Sequence, residues 1–245
     1  MPIHRRHRYI LPAVGIYWPL IFWLTHIPVP DLARRSGMSD KTMHVLAYLA
    51  LTFLVWLAVS PYQKVRWNRP AVWVVLVIIA GYGALDEWMQ GLPSINRGAD
   101  FVDFLANLLG ILLALGILSF LRFWPALLTV SAIFIFAVNN LSGILLLLGQ
   151  YHLNTIFHFT AYAALTLIWI QYDSRRPHSP GGLLSRLRRW IALPAGFLIF
   201  IKITGLLFGK RFWWIDAAVG VFAVCAAALS SALVMRRRGR PPTKQ

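Results

Sequence analysis

The sequence is poor in cysteine and in charged residues. Cys225 is the one cysteine among 245 residues, so the chain cannot form an internal disulfide. Charged residues make up 13% of the chain, whereas about 25% is typical of soluble domains. Hydrophobic residues make up 58%. This composition excludes an ordinary soluble domain and is typical of a membrane protein.

The apolar residues are grouped into long runs. A helix needs roughly 20 apolar residues to cross about 30 Å of hydrocarbon, and eight runs approach that length. We therefore predict an all-α, polytopic transmembrane helical bundle of about eight helices, with little chain left for a soluble domain. The predicted spans cover residues 9–27, 42–60, 70–90, 101–121, 124–146, 154–172, 191–208 and 213–235.

The charges are unevenly distributed around these spans. The net charge is +16, with 24 basic and 8 acidic residues. Seventeen Lys and Arg lie on the side that holds both termini, six lie on the other side, and Lys202 lies within a span. The positive-inside rule therefore predicts a multi-pass protein of the cytoplasmic (inner) membrane with both termini in the cytoplasm. We expect the basic loops to contact anionic lipid headgroups there, not nucleic acid.

Two halves of the sequence resemble each other at an offset of 114 residues. This self-similarity predicts two fused four-helix repeats, residues 1–123 and 124–245. The second repeat lacks most of the acids of the first, so we interpret it as a scaffold or lid and the first as the chemical unit. The matching pairs are His44 with His158, Ala47 with Ala161, Tyr48 with Tyr162, Leu51 with Leu165, and Thr52 with Thr166.

Polar residues of the first repeat gather at the outer side of its spans, where six of the eight acids are predicted to lie, and a seventh, Asp216, is predicted on the same side in the second repeat. Two adjacent carboxylates in a poorly solvated place repel each other, so one can hold its proton and serve as general acid or base. Arg97 or Lys41 could hold a phosphate or carboxylate. The candidate catalytic residues are His44, Asp86, Glu87 and Asp103. The candidate substrate-binding residues are Asp40, Lys41, Tyr48, Gln90, Arg97, Asp100 and Asn107.

Structural interpretations of the same residues remain open. Asp86 and Glu87 could be helix-end residues solvated in the membrane interface, or members of ion pairs with Arg97 or Lys41 that close the four-helix unit. His44 could be a packed, hydrogen-bonded core histidine. We predict no metal site, because no second histidine falls at ligand spacing in the first half. No cofactor can be assigned.

The order of these motifs resembles the VanZ-like family, which is named for a teicoplanin-resistance protein. The resemblance rests on D-K-x-x-H-x-x-A-Y, D-E-x-x-Q and R-x-x-D-x-x-D-x-x-x-N-x-x-G, and it covers about residues 16–120. It implies a small membrane protein of the cell envelope, linked in some members to glycopeptide resistance. The sequence T-H-I-P at residues 25–28 departs from the family, whose first helix often ends in a Ser-rich stretch.

These observations predict a protein that acts at the extracytoplasmic face on or around a membrane lipid or a lipid-linked envelope precursor. One hypothesis is a hydrolase or transferase with Asp86 or Glu87 as acid and base. A second is a non-catalytic binding protein that protects or modulates envelope precursors. A third is a small transporter, which the repeat favours.

Overall fold

The chain forms a helical protein. The computed structural model describes residues 7–26, 39–61, 63–92, 100–147, 151–177, 182–209 and 212–238, and these contain eight helices and no strand. The predicted all-α fold is therefore confirmed. The helices are α1 (His7–His26), α2 (Asp40–Val59), α3 (Pro70–Gln90), α4 (Phe101–Phe120), α5 (Phe123–Leu147), α6 (Tyr151–Asp173), α7 (Leu183–Leu207) and α8 (Trp214–Arg238).

Within the described residues, six helices are long and apolar enough to cross a membrane, namely α2, α3, α4, α6, α7 and α8. This confirms a multi-pass membrane protein. The predicted first and fifth spans also form helices, α1 and α5. In α5 the segment Phe123–Asn139 is apolar but shorter than the six long helices.

The helices of the first half begin at residues suited to a helix start. Ser39 caps α2, because its side chain accepts a hydrogen bond from the backbone N–H of Thr42. Asp100 caps α4 by accepting from the backbone N–H of Val102 at 2.8 Å. Pro70 occupies the first turn of α3, where no backbone donor is needed. These caps fix where the polar side chains of α2 and α4 enter the bundle.

The chain divides into two compact units, Met1–Val130 and Ser131–Gln245. The division falls within α5, a little after the boundary expected at residues 123 and 124. In the first unit α2 packs most extensively against α4, and in the second unit α6 packs most extensively against α8. The repeated Tyr48 and Tyr162 are both fully buried, as are Thr52 and Thr166. The two units therefore have a repeat-like architecture.

The contact between α2 and α4 is close because α4 carries a glycine at the crossing. A Cβ atom added to Gly110 would overlap the backbone carbonyl of Val45 and would lie 2.9 Å from the backbone nitrogen of Leu49. Such a backbone approach is possible only without a side chain. The crossing brings the polar residues at the starts of α2 and α4 together.

Candidate functional site

The two adjacent carboxylates at the end of α3 are buried. Asp86 is fully buried and Glu87 is only 6% exposed. One oxygen of Asp86 accepts a hydrogen bond from Thr25 Oγ1 at 3.0 Å, and the other accepts from Gln90 Nε2 at 3.0 Å. The interpretation of Asp86 and Glu87 as residues solvated at a helix end is therefore wrong.

The end of α1 supplies contacts that the sequence analysis did not select. Besides the hydrogen bond from Thr25, the Nδ1 atom of His26 lies 3.6 Å from Asp86 Oδ1. The His26 ring stacks on Phe22, with centroids 4.1 Å apart. Thr25 and His26 begin T-H-I-P, the stretch that departs from the family pattern. A threonine and a histidine at the end of an apolar run were the signal that could have identified them.

His44 joins the three central helices of the unit. Its side chain is 3% exposed, and its Nδ1 atom lies 2.9 Å from Asn107 Oδ1 on α4. The same Nδ1 lies 3.6 Å from Glu87 Oε1 on α3. On the other edge of the ring, Nε2 faces Asp103 Oδ2 at 3.9 Å and Asp40 Oδ1 at 4.0 Å. His44 is therefore the packed histidine of one interpretation, but it is packed among carboxylates.

The side-chain amide of Asn107 fixes the orientation of this network. In the structure its Nδ2 atom donates a hydrogen bond to Glu87 Oε1 at 3.4 Å, and its Oδ1 atom faces His44 Nδ1 at 2.9 Å. A carbonyl oxygen can only accept, which assigns the imidazole proton to Nδ1. In the neutral ring, Nε2 of His44 then carries a lone pair and points at Asp40 and Asp103.

The exposed rim of the site is an ion-pair bridge. Lys41 Nζ lies 3.1 Å from Asp100 Oδ2 and 3.2 Å from Asp103 Oδ1. The hydrogen bond from the backbone N–H of Val102, followed by that from Lys41, holds the pKa of Asp100 below its ordinary value. Lys41 therefore pairs with the acids of α4, and not with Asp86 or Glu87 as one sequence interpretation supposed.

Tyr48 forms the floor of the site. It is fully buried one turn below His44 on α2, and a Cβ atom on Gly83 would lie 3.2 Å from its ring. Its hydroxyl group has no hydrogen-bond partner among the described residues. The predicted role of Tyr48 in substrate binding stays a prediction.

The structure brings together most of the residues that the sequence selected. Within the described part of the unit, direct contacts connect Glu87, His44, Asn107 and Asp103. Asp86, next to Glu87 in the chain, has its own contacts with Gln90 and with Thr25 of α1. Arg97 lies outside the described residues, so its predicted contact with phosphate stays a prediction. The donor atoms of Asp40, His44 and Asp103 all lie within 4.8 Å of one another.

The second unit contains a smaller buried cluster that sequence analysis recognised only in part. His158 Nε2 lies 3.3 Å from Asp216 Oδ2, and Asn154 Nδ2 donates a hydrogen bond to Asp216 Oδ1 at 2.5 Å. Lys202 Nζ lies 3.7 Å from Asp216 Oδ2. The signal for Asn154 was its position 114 residues after Asp40, the same offset that relates the two histidines.

Comparison of the chain with family models, with curated proteins and with solved structures finds no match. The resemblance to the VanZ-like family therefore stays a prediction that rests on the three linked motifs. The class that the fold defines is a multi-pass helical membrane protein with a repeat-like architecture. Its first unit holds a buried carboxylate and histidine cluster.

Proposed function

We propose that the protein is a VanZ-like integral membrane protein that acts at the extracytoplasmic face on or around a lipid-linked or cell-envelope molecule. The observation that carries this proposal is the environment of Glu87. Its Oε1 atom is shared by His44 and Asn107, and the carboxyl group is almost fully buried. A carboxyl group kept from water beside an imidazole is suited to proton transfer.

The reaction class that this arrangement favours is hydrolysis or group transfer on an amphiphile with a phosphate-bearing head. Glu87 is the acid or base, with Asp86 next to it, and His44 is close enough to exchange a proton with Glu87 through a small movement. Lys41 supplies positive charge at the rim, where 46% of its side chain is exposed. An apolar tail of the substrate would lie in the surrounding lipid.

The lipid part of the proposal can be tested by native mass spectrometry of the full chain purified in mild detergent. We expect a phosphate-bearing lipid to be retained by the wild-type protein and by Lys64→Met, which removes an exposed lysine outside the site, and its retention to be reduced several-fold in Lys41→Met. Equal retention by both variants would contradict a phosphate site at Lys41. Reporter fusions at Ser94 and Ser179 test the orientation, with Ser94 expected outside and Ser179 in the cytoplasm.

The catalytic part is separated from its alternative, a non-catalytic binding protein, by Glu87→Gln. The amide keeps the shape of the side chain but cannot accept and return a proton. An enzyme should lose its effect on the teicoplanin susceptibility of an expressing host, whereas a binding protein should keep most of it. Retention of the lipid by Glu87→Gln shows in the same preparation that the site is still formed.

A further inference from the structure

We propose that Asp40, His44 and Asp103 form a binding site for a divalent transition-metal ion. This proposal deepens the proposed function, since it adds a ligand to the same cluster, and it revises the expectation of no metal that rested on the lack of a second histidine. In the structure, two carboxylates from different helices lie where a second histidine ligand would be needed. One imidazole nitrogen and two carboxylate oxygens are a donor set that suits Zn²⁺ or Mn²⁺.

The first argument is the orientation of His44. Because Nδ1 donates its proton to Asn107 Oδ1 at 2.9 Å, Nε2 is the nitrogen with the free lone pair. Metal-bound histidines usually donate their other N–H to an oxygen in this way, which fixes the tautomer. Asn107 is itself held by Glu87. The imidazole is thus presented as a ligand by a buried supporting network.

The second argument is the space between the three donors. Nε2 of His44 lies 3.9 Å from Asp103 Oδ2 and 4.0 Å from Asp40 Oδ1. These distances exceed those of hydrogen bonds, so a proton on Nε2 would reach neither oxygen. Ligand atoms around tetrahedral zinc lie about 3.4 Å apart. A metal ion would therefore fit between the donors after inward movements of under about 1 Å.

The third argument is the copy of this arrangement in the second unit, where the space is closed. His158 Nε2 and Asp216 Oδ2, the counterparts of His44 Nε2 and Asp103 Oδ2, are only 3.3 Å apart. Asn154 replaces Asp40 and donates directly to Asp216. Lys202 then adds a positive charge at 3.7 Å from Asp216 Oδ2. The second unit neutralises its acid with its own side chains, whereas the first holds its donors apart.

Three protein ligands leave at least one coordination position open, as in catalytic zinc sites. Asp40 is partly exposed while His44 and Asp103 are buried, so the open side faces the rim. Lys41 binds Asp103 through Oδ1, which leaves Oδ2 directed towards His44. A phosphate oxygen from a substrate could enter that open position beside Lys41.

The test is metal binding by the full chain in detergent, with bound metal first removed by a chelator. Zn²⁺ or Mn²⁺ alone is titrated, and bound metal is counted after dialysis. We expect one ion per wild-type chain. Asp40→Asn, which reproduces the second unit at a partly exposed helix start, should weaken binding at least 10-fold. His44→Gln and Asp103→Asn should weaken it further.

Two matched variants control for fold and for general charge. His158→Gln alters the equivalent histidine of the second unit and should leave binding unchanged. Asp100→Asn removes a rim charge outside the donor set and should weaken binding less than 3-fold. The proposal is overturned if the wild-type protein binds no more metal than Asp40→Asn. It is also overturned if Asp100→Asn and Asp40→Asn weaken metal binding equally. The metal titration requires no lipid. A failure of the metal proposal would therefore not affect the lipid test of the proposed function.

Discussion

His44 in the first unit and His158 in the second hold equivalent places 114 residues apart, but their surroundings differ in charge. Around His44, the contacts on α3 and α4 come from Glu87, Asn107 and Asp103. Around His158, the acid Asp216 is paired with Lys202.

The difference follows from substitutions at corresponding positions. Lys202 on α7 lies 115 residues after Glu87 on α3, and Asp216 lies 113 residues after Asp103. One unit thus places a carboxylate where the other places an ammonium group. A buried charge is tolerated when it is paired, and in the second cluster Lys202 pairs with the buried acid Asp216. Among the described residues of the first cluster, the carboxylates Asp86, Glu87, Asp100 and Asp103 outnumber the one lysine, Lys41, that pairs with them.

The largest expected effect comes from removing the acid of the first unit. Glu87→Gln should reduce function by about 10²–10⁴-fold if Glu87 transfers a proton. The melting temperature should hardly change, because the described residues give Glu87 no lysine or arginine partner that would be left unpaired. The teicoplanin susceptibility of a host that expresses the variant and the melting temperature of the purified variant check this. A parallel fall of function and melting temperature would make Glu87 a structural residue.

The matching change in the second unit should lower the stability of the protein. Lys202→Met leaves the buried charge of Asp216 without its ammonium partner, so the free energy of unfolding should fall by roughly 3–5 kcal/mol. The double variant Lys202→Met with Asp216→Asn should recover much of this loss. Chemical denaturation in detergent measures both. An unchanged stability of the single variant would mean that the ion pair does not neutralise the cluster.

A smaller effect is expected at the helix crossing of the first unit. Gly110→Ala should cost about 1–3 kcal/mol, because its Cβ meets the backbone of α2. The control is Gly116→Ala in the same helix, where an added Cβ meets nothing within 4 Å. This variant should stabilise the protein by about 0.5–1 kcal/mol. The second unit has Ala223 at the corresponding place, 113 residues later. Equal melting temperatures of the two variants would contradict the close crossing.

The smallest effect concerns the rim, whose Lys41 and Asp100 correspond to the uncharged Thr155 and Trp213 of the second unit. The pKa of Asp100 is lowered in the folded protein by its hydrogen bonds from Val102 and Lys41. Its contribution to stability is therefore complete above its unfolded pKa of about 3.9. The contribution is lost as the pH falls through the lower folded-state pKa.

Asp100→Asn isolates this contribution, because asparagine caps a helix as well as aspartate does. The variant should melt slightly below wild type at pH 7, and the difference should shrink at the lowest pH at which the protein stays folded. Melting curves of both proteins across that range provide the measurement. A difference that grows on acidification would contradict the depressed pKa of Asp100.

Composition and the lengths of the apolar runs predicted the fold, and spacing along the chain predicted which polar residues share a helix face. The repeat predicted that Tyr48 and Tyr162 hold matching places, which their burial supports. The choice of partners could not be predicted in the same way. Periodicity does not predict how far one helix is rotated relative to the next. Lys41 pairs with Asp100 and Asp103 because of that rotation.

Contacts between distant segments were also missed. Thr25 reaches Asp86 from α1, and Lys202 reaches Asp216 from α7. Asp216 matches Asp103 in the sequence, but the place of Lys202 was not predicted, because the repeat offset changes from 114 in α6 to 115 at Lys202 and 113 at Asp216. A comparison that allowed a shift of one residue per helix would also have aligned Lys202 with Glu87.

The most direct test of the difference between the units is labelling with dicyclohexylcarbodiimide, which reacts with protonated carboxyl groups in apolar surroundings. Peptide mass spectrometry of the labelled full chain locates the modified residue. We expect modification at Asp86 or Glu87 on α3, none at Asp216, and new modification of Asp216 in Lys202→Met. Labelling of Asp216 in the wild-type protein, or no labelling on α3, would contradict an acid excess that is confined to the first unit.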